Sequence, residues 1–150
     1  MTKKINSFKV KPITLIQQQT NIKLIYRDFT CSIKRHCEMV VNGFLTPTPL
    51  SKTYAFKIVY KINKPKKVVT TVEGLTPRIE GERIPHTYPD GSICLYKPIY
   101  NEFGPEKYIG ETIIPWLSFW LYCYEIWKAT GDMAWDFNGC GEHPKHGQKK

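Results

Sequence analysis

Negative charge is nearly missing from the first half of the sequence. Residues 1–75 hold fourteen Lys and Arg against three Asp and Glu, a net of +11, whereas residues 76–150 hold eight against ten, a net of −2. A basic half of this kind favours phosphates, an anionic surface or an acidic protein partner. Long apolar runs are missing too. The longest, Ile113 to Trp127, is interrupted by Pro115, Ser118 and Glu125 and is shorter than the roughly 20 residues that cross a bilayer, so no membrane partner is expected. Residues 1–11 are basic and lack the apolar centre of a secretory signal. Cysteines are few: Cys31, Cys37, Cys94, Cys123 and Cys140. An odd number at irregular spacing is a poor disulfide framework, and the expectation is a soluble protein of a reducing compartment, the cytoplasm, with free thiols. Internal repeats and low-complexity blocks are absent.

What is present suffices for one domain. Of 150 residues, 41% are hydrophobic and 13% aromatic, enough to fill a core. The expected division is a single domain over 1–150, with an ordered core at about 14–137 and a loose tail at 138–150, rich in glycine and charge. Thr14 to Tyr26 suits a helix with Leu15, Ile22 and Ile25 on one face and Gln17, Gln18 and Gln19 outside. Three strands are expected: Glu38 to Leu45 with a bend at Gly43, Thr53 to Ile62, and Val68 to Glu73. In the second, Tyr54, Phe56, Ile58, Tyr60 and Ile62 alternate with mixed residues. Residues 74–104 carry little period, and a loop so long within a compact domain is usually functional. Pro105 opens a short helix to about Glu111, and Pro115 a longer one to Thr130, stopped by Gly131. Trp116, Trp120, Tyr124 and Trp127 share a face of that last helix, which therefore belongs in a core or an interface. The order is helix, antiparallel strands, long loop, helix, an α+β layout.

The chemistry gathers in the run from Ile84 to Tyr96. Pro89-Asp90-Gly91 signals a tight turn, which presents Ser92 to Tyr96 as an extended segment containing Cys94. Taken alone, Cys94 reads as a small buried apolar residue, the common role of a free thiol. Asp90 reads as a turn-former. Cys140-x-x-His143-x-x-His146, with Cys123 as a fourth ligand, matches no common zinc spacing, so no metal and no cofactor is expected. Cys31 and Cys37 read as inert thiols. Lys57, Lys61, Lys64, Lys66 and Lys67 form a basic strand face and turn. No base-reading motif accompanies them, which favours an acidic protein over nucleic acid.

The same run resembles the active-site region of ubiquitin-conjugating (E2) enzymes, where a His-Pro-Asn triplet precedes a Tyr-x-Asp/Ser-Gly-x-Ile/Val-Cys-Leu stretch. Tyr88, Asp90, Gly91, Ile93, Cys94 and Leu95 match in register, and the element order matches from about Thr14 to Thr130. Phe103-Gly104-Pro105 stands near the family's Trp-x-Pro, shifted by a residue. Ile84-Pro85-His86 stands where His-Pro-Asn is expected, so His86 takes the Asn position. The family's two carboxy-terminal helices find no counterpart in this sequence. A closer resemblance is to small bacterial E2-like proteins of the CBASS antiphage operons, carried by His86 to Tyr96, Thr112 to Trp116, Gly139 to Pro144 and Thr48 to Tyr54.

These resemblances imply a UBC-like fold and a thiol acyl carrier. Cys94 would form a thioester with the carboxy terminus of a protein partner, a ubiquitin-like protein or a cGAS-like nucleotidyltransferase, and pass the acyl group to an amine, a lysine. His86 would stabilise the tetrahedral oxyanion, with Tyr88, Asp90 and His143 in the active-site loop. Two alternatives stay open: a noncatalytic E2-like binding module, and a basic scaffold for an acidic partner.

Overall fold

Thr14 begins the first helix because it and Gln17 satisfy each other's backbone amides, which a helix start leaves open. Its Oγ1 accepts from the Gln17 amide at 3.1 Å, and Gln17 Oε1 accepts from the Thr14 amide at 3.0 Å, a reciprocal capping box. The computed structural model describes residues 11–97 and 101–132. Helix α1 spans Leu15–Ile25 and buries Leu15, Gln18 and Ile22. Two expectations fail here: Gln18 is fully buried, and Ile25 is exposed. Gln18 is tolerated inside because Nε2 donates to the Lys107 carbonyl and Oε1 accepts from the Ile109 amide, both at 2.9 Å, so its polar atoms keep their partners.

Four strands follow rather than three: β1 (Thr30–Lys34), β2 (Glu38–Leu45), β3 (Tyr54–Lys61) and β4 (Val68–Val72). They form an antiparallel meander in the order β1-β2-β3-β4. Tyr54, Phe56, Ile58 and Tyr60 are buried as their alternation predicts, while Ile62 lies beyond the strand and is half-exposed. The register sets Val41 against Ile58, and Ile58 against Thr70. Gly43 lies inside β2 rather than at a bend, paired with Phe56. A Cβ there would run into the Phe29 ring, so the position admits only hydrogen.

The expected helix from Pro105 is a turn ending in one 3-10 turn, Ile109–Glu111. Gly110 favours helix poorly, and a Cβ on it would meet Asn21 Oδ1 at 2.7 Å. Helix α2 runs from Ile113, two residues before Pro115, to Thr130. Pro115 is tolerated because it falls within the first turn, whose N–H groups have no partner inside the helix. Gly131, at φ 81, closes the helix with its amide on the Trp127 carbonyl at 2.7 Å. Helix α2 buries Ile113, Ile114, Leu117, Trp120, Leu121, Cys123, Tyr124 and Trp127, in one core with Leu15, Ile22 and the inner face of the sheet. Glu125 ties it to the β2–β3 connection, accepting from Ser51 Oγ at 2.5 Å and from the Tyr54 hydroxyl at 2.8 Å. This is the α+β arrangement of an E2-like fold. No helix among the described residues is long and apolar enough to cross a membrane.

Candidate active site

Residues 74–97 are irregular, but their end is a small hairpin laid against β4. The Cys94 amide donates to the His86 carbonyl at 2.9 Å and the Tyr88 amide to the Ser92 carbonyl at 2.8 Å, around a bridge between Thr87 and Ile93. The turn between them is built by Asp90 and Gly91. Asp90 Oδ1 accepts from the Ser92 amide at 2.9 Å and from Ser92 Oγ at 2.6 Å, and Gly91 supplies a φ of 87 that only glycine adopts freely. The Ser92 hydroxyl, then its amide, hold the Asp90 carboxyl below the usual carboxylate range, with Lys67 adding in the same direction. Asp90 thus shapes the turn.

The hairpin is stapled to the sheet from two sides. The Ile93 amide donates to the Thr70 carbonyl at 2.7 Å. The Tyr96 hydroxyl accepts from the Val68 amide at 2.9 Å and donates to the Lys66 carbonyl at 2.8 Å. Burial raises the Tyr96 phenol to about 12, so it stays protonated and keeps donating. On the arm before the turn, Arg83 donates to the Thr87 carbonyl at 2.7 Å, and Thr87 Oγ1 to the Ile84 carbonyl at 2.7 Å.

His86 and Cys94 are thereby placed opposite each other on adjacent backbone segments. His86 is fully buried and adopts φ 55, a left-handed conformation that is uncommon for a residue with a Cβ and costs energy. Its carbonyl takes a second donor, Trp120 Nε1 of helix α2, at 3.2 Å. Cys94 is 5% exposed, and its Sγ lies 3.7 Å from the Tyr96 carbonyl. The expectation of free thiols fails at this residue: Cys94 is disulfide-bonded. The contact with Tyr96 therefore has no proton to share until the disulfide is reduced. Cys31, Cys37 and Cys123 are free. Burial pushes the Cys31 and Cys123 thiols up to about 11, against a smaller lowering at Cys31 from Lys23, so both stay protonated and inert. Cys37 is exposed in the β1–β2 turn.

The two residues expected to carry the chemistry are thus adjacent in the fold. Tyr88 is exposed at the turn. Tyr88 and Asp90 line a groove of about 560 Å³ with Lys67, Val69, Ile93 and Leu95; Cys94 does not line it. His143, and the trio Cys140, His143 and His146, lie outside the described residues, as does the expected tail at 138–150. Ser92 and Tyr96 hold the hairpin and Trp120 donates to it, but they carried no sequence signal beyond aromatic spacing and the turn motif. A family model described as "Type II CBASS E2 protein" matches residues 18–144. No curated protein matches the chain.

Proposed function

The chain belongs to the type II CBASS E2 family, the E2-like proteins of CBASS antiphage systems that act with a protein partner of the same operon, and on that premise we propose that Cys94 is its acyl-carrying residue. The observation that carries the reading is the placement of Cys94 against His86 across the hairpin, amide to carbonyl at 2.9 Å. Once reduced, the Cys94 thiolate attacks the activated carbonyl carbon at the carboxy terminus of the partner, a cGAS-like nucleotidyltransferase or a ubiquitin-like protein. A C–S bond forms and the activating group leaves. A lysine amine then attacks the thioester; the C–N bond forms, the C–S bond breaks, the thiolate leaves and the amine's proton goes to solvent. At each attack, His86 donates a hydrogen bond to the oxyanion, a role whose energetic weight is large in acyl transfer.

A second reading is favoured by the burial of Cys94 and its disulfide: a noncatalytic E2-like module that binds the partner without acylation. One experiment separates them. The protein is treated with a phosphine, which opens disulfides without cleaving thioesters, and mixed with the operon nucleotidyltransferase and the operon's other proteins with ATP. The acyl-carrier reading expects a thiol-sensitive adduct that is lost in Cys94→Ala, kept in Cys123→Ala, and absent without reductant. Binding by all forms with no adduct establishes the noncatalytic module instead.

A further inference from the structure

Trp120 fills the core with its ring, yet its one polar atom reaches the backbone of the active-site hairpin. We propose that Trp120 is a positioning residue for Cys94, acting through the His86 carbonyl. Its indole N–H and the Cys94 amide converge on that one oxygen, at 3.2 and 2.9 Å, and together occupy both acceptor directions of a buried carbonyl. The carbonyl belongs to the one residue of the hairpin that combines a Cβ with a left-handed φ, 55. Such a backbone persists only where its surroundings hold it. A donor from helix α2 is a direct means of holding it, because the inner face of helix α2 is packed in the core.

The indole is itself fixed. Trp120 is fully buried and stacks on Tyr124 with ring centres 5.7 Å apart and planes 9° from parallel. The Tyr124 hydroxyl in turn exchanges two hydrogen bonds with the Thr76 backbone, each at 3.0 Å. Thr76 lies near the start of the irregular segment that leads to His86. Tyr124 therefore holds that segment near its start and Trp120 holds it near its end, both from one helix face. Neither contact touches the Cys94 sulfur. What they set is the backbone from which Cys94 and His86 project, and tenths of an ångström in that placement matter to an attack on a carbonyl. The catalytic consequence rests on the acyl-carrier reading above; the structural one does not.

The test is a double-mutant cycle on reduced protein, with Trp120→Phe and His86→Asn made alone and together. Asn is tolerated in the left-handed region and keeps a side-chain donor, so it needs less holding. Two quantities are read: hydrogen exchange of the Cys94 amide, and the rate of thioester discharge to lysine. Trp120→Phe is expected to speed the exchange and slow the discharge by about tenfold each when His86 is present, and by only about twofold to threefold in the His86→Asn background. If Trp120→Phe does not fold, site-specific replacement of the indole by benzothiophene keeps the ring volume and removes only the N–H. Equal effects in both backgrounds, or an unchanged Cys94 amide, would overturn the proposal and leave Trp120 as packing. If exchange shows the coupling and no variant forms a thioester, the positioning stands and the acyl-carrier reading fails.

Discussion

Removing the Glu125 carboxylate separates what holds the fold from what serves the thiol. That carboxylate accepts from Ser51 Oγ at 2.5 Å and from the Tyr54 hydroxyl at 2.8 Å, joining helix α2 to the β2–β3 connection and to the first residue of β3. Tyr54 is buried, at 7% exposure. Its phenol is held above the usual range, by burial first and then by its bond to Glu125. Hydrogen bonds to a charged acceptor contribute about 1.5–3 kcal/mol each, and half-exposed ones less. Glu125→Ala leaves Tyr54 without an acceptor, so a loss of about 2–4 kcal/mol is expected, or about 5–15 °C in Tm for a domain of this size. Glu125→Gln keeps an acceptor oxygen without the charge and should lose about half as much. Urea titration of both variants gives the numbers, and labelling of reduced Cys94 reports the site. The reasoning is refuted if Glu125→Ala lowers stability by less than about 1 kcal/mol, or if Cys94 labelling changes while stability does not.

Two further expectations concern titration and reactivity. Asp90 sits below the usual carboxylate range when folded, so its contribution is present at neutral pH and is lost as the pH falls through that depressed value. The stability gap between the wild type and Asp90→Ala should therefore narrow in acid; a gap independent of pH between 7 and about 2 would dismiss the Asp90–Ser92 turn as its source. For the thiols, a rise from 9.0 to about 11 at Cys31 and Cys123 leaves about a hundredfold less thiolate at pH 8. Native alkylation followed by peptide mass spectrometry should find Cys37 labelled first, and equal rates at the three would contradict the burial seen here.

Some of this was legible in the residues and some was not. Strand β3 was readable because Tyr54, Phe56, Ile58 and Tyr60 repeat every second position, the period of a half-buried strand. Strand β1 was not, because Thr30-Cys31-Ser32-Ile33-Lys34 offers only Cys31 and Ile33 to the inside, and it is held by pairing with β2 rather than by an apolar pattern of its own. Gln18 looks like a surface residue by its polarity, although its i, i+3, i+7 spacing with Leu15 and Ile22 puts it on their face. Its burial depends on two backbone groups some ninety positions away, which no spacing within a helix reveals. The Asp90–Gly91 turn followed from the motif, whereas the link between His86 and Cys94 rested on the resemblance and not on their spacing. The disulfide state of Cys94 followed from neither, since cysteine spacing carries no pairing information. The same limit applies to Trp120: periodicity assigned its ring to a core or an interface and could not show where its single N–H points.

The Gln18 carboxamide also bears on how the chain is made. Helix α1 leaves the ribosome before the other described elements, yet the carbonyl of Lys107 and the amide of Ile109 that satisfy its buried side chain are synthesised only after the whole meander and the active-site hairpin. Until they arrive, sealing Gln18 into the interior would strand two polar atoms without partners. The first helix thus waits on residues made some ninety positions later, and closure of the core is a late event in which a nascent thiol hairpin is already present.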